Sequence, residues 1–460
     1  MMYSRKIIVL AALAATGFCT YADSPATLSY SDITTEDVTG MPDMAMPAKW
    51  TFDDCIKWAV ENSTSVRRSL LSILQADQET GSAKDAYLPT VNFSTSHSIT
   101  NYPKHEVGRT STTYGSSYGI NASWTVWEGN VRKYRLESAK IMREQQELSG
   151  DDAIKELKLG ILQAYLNIMY AREAVEIARQ TLEVSTKQTE RARRLMESGR
   201  TSKVDFSQIE SQMAQDQYSL VQAEGNLNSS KIALKKLLML GLDCDMEIAD
   251  ITFSDDDVTA ILPPREQVYD FAASWLPSIK SNDLSQQIYT NDIKTAKAGY
   301  LPKLSLQGGI GTGYNSGGDG WSAQMGRAFN ENVGLSLSIP IFDGNSTKRA
   351  VNKAKLASLE YDLNRTQLLD DLSHTIESLY IDATSAQARY IAGITQLEAT
   401  QLSADFVNRQ FELGMVNPVE FLIAHNNLAN SRLEQLQNKF MAILANKTIM
   451  YYATTQVELP

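Results

Sequence analysis

At 460 residues the chain is longer than one ordinary domain, so it is built either of several units or of one unit repeated. Its 54 acidic residues outnumber its 43 basic ones, and the formal net charge of -11 argues against a nucleic-acid partner. Four histidines and three cysteines form no C-x-x-C, H-E-x-x-H or other ligand spacing, so neither a metal site nor a cofactor is expected. No enzymatic activity is expected either, because His97, His105, His374 and His425 lie in strand, loop or helix contexts with nothing in the sequence pairing them.

The chain opens on a secretory signal. Arg5 and Lys6 precede the apolar run Ile7 to Phe18, which ends in Thr20-Tyr21-Ala22, so residues 1–22 are read as a signal peptide cleaved after Ala22. Lipidation at Cys19 is the competing reading, and the bulky Phe18 before it argues against that. No later apolar run approaches the roughly 18 to 20 residues of a membrane-spanning helix, so any crossing must be made by strands. Residues 23–49 mix Asp, Ser, Thr, Pro and Met without a period and read as an extended leader.

Thr51 caps a helix whose pattern continues to Ala86 and stops at Tyr87-Leu88-Pro89, because a residue before proline avoids the α region. After this stop the apolar period changes from 3.6 to 2. Val91, Phe93, Thr95, His97 and Ile99 alternate with polar residues, and Tyr118, Ile120, Ala122, Trp124 and Val126 do so again. A second copy begins beyond the connector Cys244 to Pro264, whose Asp255-Asp256-Asp257 reads as solvated surface. It stops at Tyr300-Leu301-Pro302, followed by Leu304, Leu306, Gly308 and Ile310 and then by Val333, Leu335, Leu337, Ile339 and Ile341.

The strands are placed at about 90–100, 117–127, 303–314 and 332–342, each near the length a tilted strand needs to cross a bilayer. Trp124, Trp127, Tyr114, Tyr118 and Tyr314 cluster toward strand ends, as an aromatic girdle does. The competing reading is an amphipathic sheet laid on a soluble core. Four strands cannot close in lipid without unpaired edges, so a membrane barrel would have to be shared between chains.

Each strand pair leads into a very long helix. Val131 to Glu197 contains no proline and would rise roughly 100 Å. Ile154, Ile161, Ile168, Val175 and Leu182 fill one heptad position, and Leu157, Ala164, Ala171, Ala178 and Ser185 fill the next. Ser346 to Glu412 repeats the theme with Leu369, Ile376, Ala383, Tyr390, Leu397, Ala404 and Phe411. Both runs break at a glycine, Gly199 and Gly414, before a returning helix that opens with Val204-Asp205-Phe206 or Val419-Glu420-Phe421. The shorter helices, near 61–86 and 204–240, would stack end to end beside the long one.

In this order and duplication, the segments Ala86-Tyr87-Leu88-Pro89, Ala298-Gly299-Tyr300-Leu301-Pro302, Trp127-Glu128-Gly129-Asn130 and Pro340-Ile341-Phe342-Asp343-Gly344-Asn345, with the two glycine tips, resemble the TolC-like outer membrane efflux proteins. The resemblance covers residues 50 to about 452. It implies a mainly α fold with membrane β-strands, in which two tandem repeats of helix, strand, strand, long helix and helix occupy residues 50–262 and 263–452, with hairpins 131–240 and 346–452, tips 198–203 and 413–418, and a tail 453–460. It implies a homotrimer forming a twelve-stranded outer-membrane β-barrel continued by a periplasmic α-helical barrel. The implied partners are outer membrane lipid, a periplasmic adaptor protein and an inner-membrane pump of the RND, ABC or MFS type. The implied role is a passive exit duct for drugs, other small molecules or secreted polypeptides.

By the same resemblance, Asp205 and Glu420 match the acids that line the family's constriction. Ile423 stands where many members carry a second acid and implies an apolar contribution there. The tip residues Gly199, Arg200, Thr201, Gly414, Met415 and Val416 would touch the adaptor. Read from the residues alone, the two acids can also be helix N-terminal acids facing the dipole, and the glycines can be C-caps. The same resemblance places Cys55 and Cys244 in the equatorial region, which leaves open whether a disulfide joins them or both stay as thiols. The competing class is a trimeric coiled-coil surface or adhesion protein, which calls for passenger repeats and a C-terminal barrel, whereas these strands lie mid-chain in two pairs.

Overall fold

The computed structural model describes residues 47–103, 112–241, 246–456 and 459; the expected signal peptide and most of the leader, as well as His105 and Cys244, lie outside them. In chain order the elements are α1 (Phe52–Asn62), α2 (Thr64–Asp85), β1 (Thr90–Asn101), β2 (Thr112–Trp127), α3 (Val131–Glu197) and α4 (Lys203–Leu237). A four-residue helix α5 (Asp255–Val258) follows, then α6 (Arg265–Trp275), α7 (Pro277–Lys297), β3 (Lys303–Asn315), the short α8 (Trp321–Arg327), β4 (Asn330–Ser338), α9 (Ser346–Leu413) and α10 (Pro418–Thr454).

Local chemistry sets the helix ends. Thr51 and Asp54 form a reciprocal capping box at α1. The single helix expected from Thr51 to Ala86 is interrupted at Ser63, which leaves the helical region (ψ 128°) and accepts the Ser65 N–H at 3.3 Å. The polar run Asn62-Ser63-Thr64-Ser65 offers the backbone an alternative to the helical ladder, and the chain takes it. A matching break at Leu276 divides α6 from α7. Each long helix starts after a left-handed pair, Gly129-Asn130 and Gly344-Asn345. Gly129 is required there twice over: its φ is +67°, and a β-carbon would approach that of Ala298 to 2.9 Å.

The short helices do stack along the long one. Gly150 of α3 meets Ser69 of α2, while Gly160, less than three turns on, meets Leu237 at the end of α4. The Trp58 indole N–H donates to the Leu238 carbonyl at 3.0 Å and pins the junction. The main core lies here, around fully buried Ile161, Leu162, Tyr165, Ile168, Leu234, Leu238 and Ile443. The Tyr165 hydroxyl reaches the carbonyls of Trp50 and Ala249 at 3.4 and 3.3 Å, which ties the segments on either side of the hairpin to α3. A second core joins α6, α7, α9 and α10 through Val268, Ala272, Ile279, Ile376, Ala383 and Ile449.

The connector acids are more engaged than a solvated surface would be. Asp257 caps α5 through Ser254, and Asp255 accepts the Tyr390 hydroxyl at 2.7 Å. Burial and this carboxylate push the Tyr390 phenol up to about 12.

Cys55 is fully buried and forms no disulfide among the described residues, Cys244 lying outside them. Burial, with Asp54 beside it, pushes that thiol up to about 12, so it is not a thiolate near neutrality. A maleimide at about pH 8 is expected to leave it unmodified in the folded protein and to label it after denaturation without reductant. A chain still unlabelled after denaturation would carry the Cys55–Cys244 bridge instead.

The four strands form one antiparallel sheet in the order β1-β2-β3-β4. Its register collects one apolar face: Val91 opposes Ala122, Phe93 opposes Ile120, Trp124 opposes Leu306, Ile120 opposes Ile310, and Leu306 opposes Leu335. The other face carries Ser94, Asn121, Ser123, Gln307 and Ser336 with several glycines. Two boundaries differ from expectation. β2 begins at Thr112, well before residue 117, because Thr112 to Ser116 continue the ladder opposite Asn101 to His97. β4 ends at Ser338 and excludes Ile339 and Ile341, since Ser338 pairs with Lys303 beside Pro302, and Pro340 has no N–H to extend the ladder.

No strand residue belongs to the hydrophobic cores among the described residues. Phe93 is 68 % and Val333 83 % exposed, and both β1 and β4 are edges without a partner in one chain. A sheet laid on a soluble core would bury its apolar face, and this one does not. No helix among the described residues is long and apolar enough to cross a membrane.

Candidate channel constriction and hairpin tips

Both helical tips are built the same way. At the first, Gly199 has φ +74°, its N–H donates to Met196 O at 2.9 Å, and the Arg200 N–H donates to Leu195 O at 2.8 Å. At the second, Gly414 has φ +74°, its N–H reaches Phe411 O at 3.1 Å, and the Met415 N–H reaches Gln410 O at 2.9 Å. These are paired Schellman closures, and the left-handed residue in each is the glycine. The returning helices are capped by Ser202, which accepts the Asp205 N–H at 3.0 Å, and by Asn417, which accepts the Glu420 N–H at 2.9 Å.

Asp205 and Glu420 therefore occupy the third position of α4 and α10, where a carboxylate is favoured by the helix dipole. That role leaves Asp205 uncommitted, since its carboxylate has no hydrogen-bond partner among the described residues. Glu420 accepts one bond, from the Asn417 amide at 3.0 Å.

The two tips lie side by side. Phe411 packs on the small cluster of Ala192, Phe206 and Ile209 and stacks on Phe421 at 4.8 Å between ring centroids. Gln188 of α3 donates to Asn408 of α9 at 2.8 Å, and the Arg191 guanidinium donates to the Glu412 carbonyl. Between them lies a cleft of about 610 Å³ lined by Arg200, Thr201, Asp205, Gly414, Met415, Val416 and Glu420, together with Arg191. The cleft thus gathers seven of the nine residues singled out from the sequence. Gly199 does not line it, and neither does Ile423, which is 56 % exposed on the returning helix.

A further pair was not foreseen. His425 of α10 and Asp216 of α4 meet at 2.9 Å, each with its side chain only 7 % exposed. Gln212 donates to the other Asp216 oxygen at 2.9 Å and exchanges bonds with Asn426, while Phe421 stacks on the imidazole. The absence of any partner for His425, expected from the sequence, is thereby corrected. Helical spacing carried a signal: Asp216 lies seven residues after buried Ile209, and His425 four after buried Phe421, so both fall on inward faces. His374, by contrast, is a solvent-facing residue near Asp370. Among the described residues, no group of three or more histidine, cysteine or acidic side chains is arranged to hold a metal ion.

The fold is that of known channels. The chain superposes on the solved structure of CusC with a TM-score of 0.73 at 19 % identity, covering 94 % of this chain and 98 % of that one. On the outer-membrane channel OprN the TM-score is 0.71 at 18 % identity, covering 87 % and 89 %. Among curated relatives, outer membrane protein TolC of Vibrio cholerae is 22 % identical over 366 residues, 77 % of this chain and 81 % of the relative. The family model described as "Outer membrane efflux protein" matches residues 55–239 and 269–450, the two stretches that hold both strand pairs and both hairpins, and the chain belongs to that family.

Proposed function

We propose that this protein is the exit duct of a tripartite export system, carrying drugs, other small molecules or polypeptides outward without an energy source of its own. The family is one of outer-membrane channel proteins rather than enzymes, and its helical part lies in the periplasm. The observation that carries the reading is the sheet: one face apolar, the other polar, both exposed, with two unpaired edges. Backbone edges cannot stay unpaired in lipid, so β4 of one copy would join β1 of the next. Three copies would close twelve strands, within the range of outer-membrane barrels.

In this arrangement residues 50–262 and 263–452 act as two repeats whose helices line a periplasmic conduit. Asp205 and Glu420 would narrow its end, Ile423 would add an apolar ring, and Gly199, Arg200, Thr201, Gly414, Met415 and Val416 would meet the adaptor of an inner-membrane pump. The adhesin reading is not favoured, because both strand pairs sit mid-chain and are followed by hairpins. Analytical ultracentrifugation of the detergent-extracted particle is expected to give the protein mass of three mature chains. A monodisperse monomer that stays in solution without detergent would overturn the barrel and the duct with it.

A further inference from the structure

Where the helices meet the sheet, exposed lysines recur at matched positions of the two halves. Lys84 precedes Tyr87-Leu88-Pro89 as Lys297 precedes Tyr300-Leu301-Pro302. Lys133 follows Gly129-Asn130 as Lys348 follows Gly344-Asn345, and Lys140 and Lys355 come one heptad later on the same faces. All six are exposed, in a chain whose formal charge is -11.

Helix stability explains only part of this. Lys84 and Lys297 lie at helix C-termini, where the dipole favours a cation, but Lys133 and Lys348 are third residues of α3 and α9, where it opposes one. Ion pairing explains little more. Among the described residues Lys133 has a single long contact, 3.9 Å to Glu137, and the other five have no carboxylate partner. Two of the nearby acids are engaged elsewhere: Glu128 faces Arg132 and Lys303, and Asp343 accepts the Thr347 N–H at 2.7 Å.

The level of these lysines in the fold supplies the missing partner. The apolar face of the sheet ends at Trp124, Leu304 and Leu337, and the Trp124 indole N–H donates to the Tyr87 carbonyl at 2.8 Å. An indole whose body joins an apolar sheet face while its N–H finds a polar partner at the edge of that face is placed as tryptophans at a membrane interface are. Lys133 and Lys348 stand within the first helical turn beyond that line, and Lys140 and Lys355 roughly 10 Å deeper. Flexible ammonium groups at this depth reach lipid phosphates and add to attraction by an anionic surface.

We propose that this twofold-repeated lysine set is a belt that binds the anionic headgroups of phospholipids in the periplasm-facing leaflet. The inference rests on the membrane-barrel reading above. The test is lipid retention by the purified full chain, delipidated and offered mixed micelles of phosphatidylglycerol and phosphatidylethanolamine, then read by native mass spectrometry.

The wild type is expected to retain phosphatidylglycerol preferentially. Changing Lys84, Lys133, Lys297 and Lys348 together to glutamine should lower that retention roughly tenfold, and the same four changed to arginine should keep it. Particle mass measured in parallel shows whether each variant has assembled, and pairwise changes at Lys133 and Lys348 alone should give an intermediate loss if the fourfold variant fails to assemble. Equal retention of both lipids by an assembled wild type would overturn the belt while leaving the duct intact. So would assembled glutamine variants that keep phosphatidylglycerol but change ion selectivity, because the lysines would then face the lumen. A wild type that is monomeric without detergent would instead fail the barrel reading itself.

Discussion

Replacing His425 with leucine while Asp216 remains is expected to destabilise the protein by about 1–3 kcal/mol, the cost of leaving a buried carboxylate short of a hydrogen-bond donor. The two side chains are each 7 % exposed, so solvent does little to screen them, and the carboxylate would be left with Gln212 as its one remaining donor. Asp216→Leu should be comparably harmful, since it strands the imidazole between Phe421 and the vacated site. The double variant Asp216→Leu with His425→Leu should recover most of the loss, because two apolar groups of similar size need no partners. Denaturant unfolding followed by circular dichroism, arranged as a double-mutant cycle, gives the coupling energy. His374→Leu serves as the comparison: its side chain is 72 % exposed beside Asp370, and its removal should change stability by no more than about 0.5 kcal/mol. Single and double variants of the buried pair that lose the same stability would mean that the two residues do not act on each other. The location gives the pair a consequence beyond stability, since α4 and α10 belong to different hairpins and Asp216–His425 joins them above the tips.

The amino-acid sequence shows most plainly what repeats or punctuates. The helix from Val131 to Glu197 follows from an unbroken apolar period, and its end from Gly199, the residue suited to a left-handed closure. The sheet's two faces follow from period-2 alternation, and their exposure is what separates a membrane sheet from one laid on a soluble core. The boundaries that depart from the periodicity have local causes that compete with it. Ser63 breaks a helix that its neighbours would continue, and Pro340 stops a strand that the alternation through Ile339 and Ile341 would extend. Long-range polar partnerships were hidden for a different reason. His425 and Asp216 are 209 residues apart, and Tyr390 and Asp255 are 135 apart, so only the packing of the two hairpins and the connector brings them together. The tip was legible residue by residue, but the sequence could not say that Arg191 would enter the same cleft as the two acids.

Arg191 sets a positive charge beside the two acids in that cleft. If Asp205 and Glu420 ring the narrow end of the duct, changing them together to asparagine and glutamine should lower the ratio of cation to anion permeability several-fold. The amides keep the size of the side chains and their place at the helix N-termini, so folding should be perturbed by no more than about 1 kcal/mol, the scale of a dipole interaction. Arg191 and Arg200 line the same cleft, so the wild-type field is a balance, and removing the acids should tip it toward anions rather than merely to neutrality. The reversal potential of single channels in a planar bilayer under a potassium chloride gradient reads this directly. Ile423→Ala divides the roles further: it removes no charge, so it should raise conductance while leaving the reversal potential where it was. An unchanged reversal potential in the Asp205→Asn, Glu420→Gln channel would place the selectivity of the duct elsewhere and leave both acids only the helix-dipole role that the third position of each helix gives them.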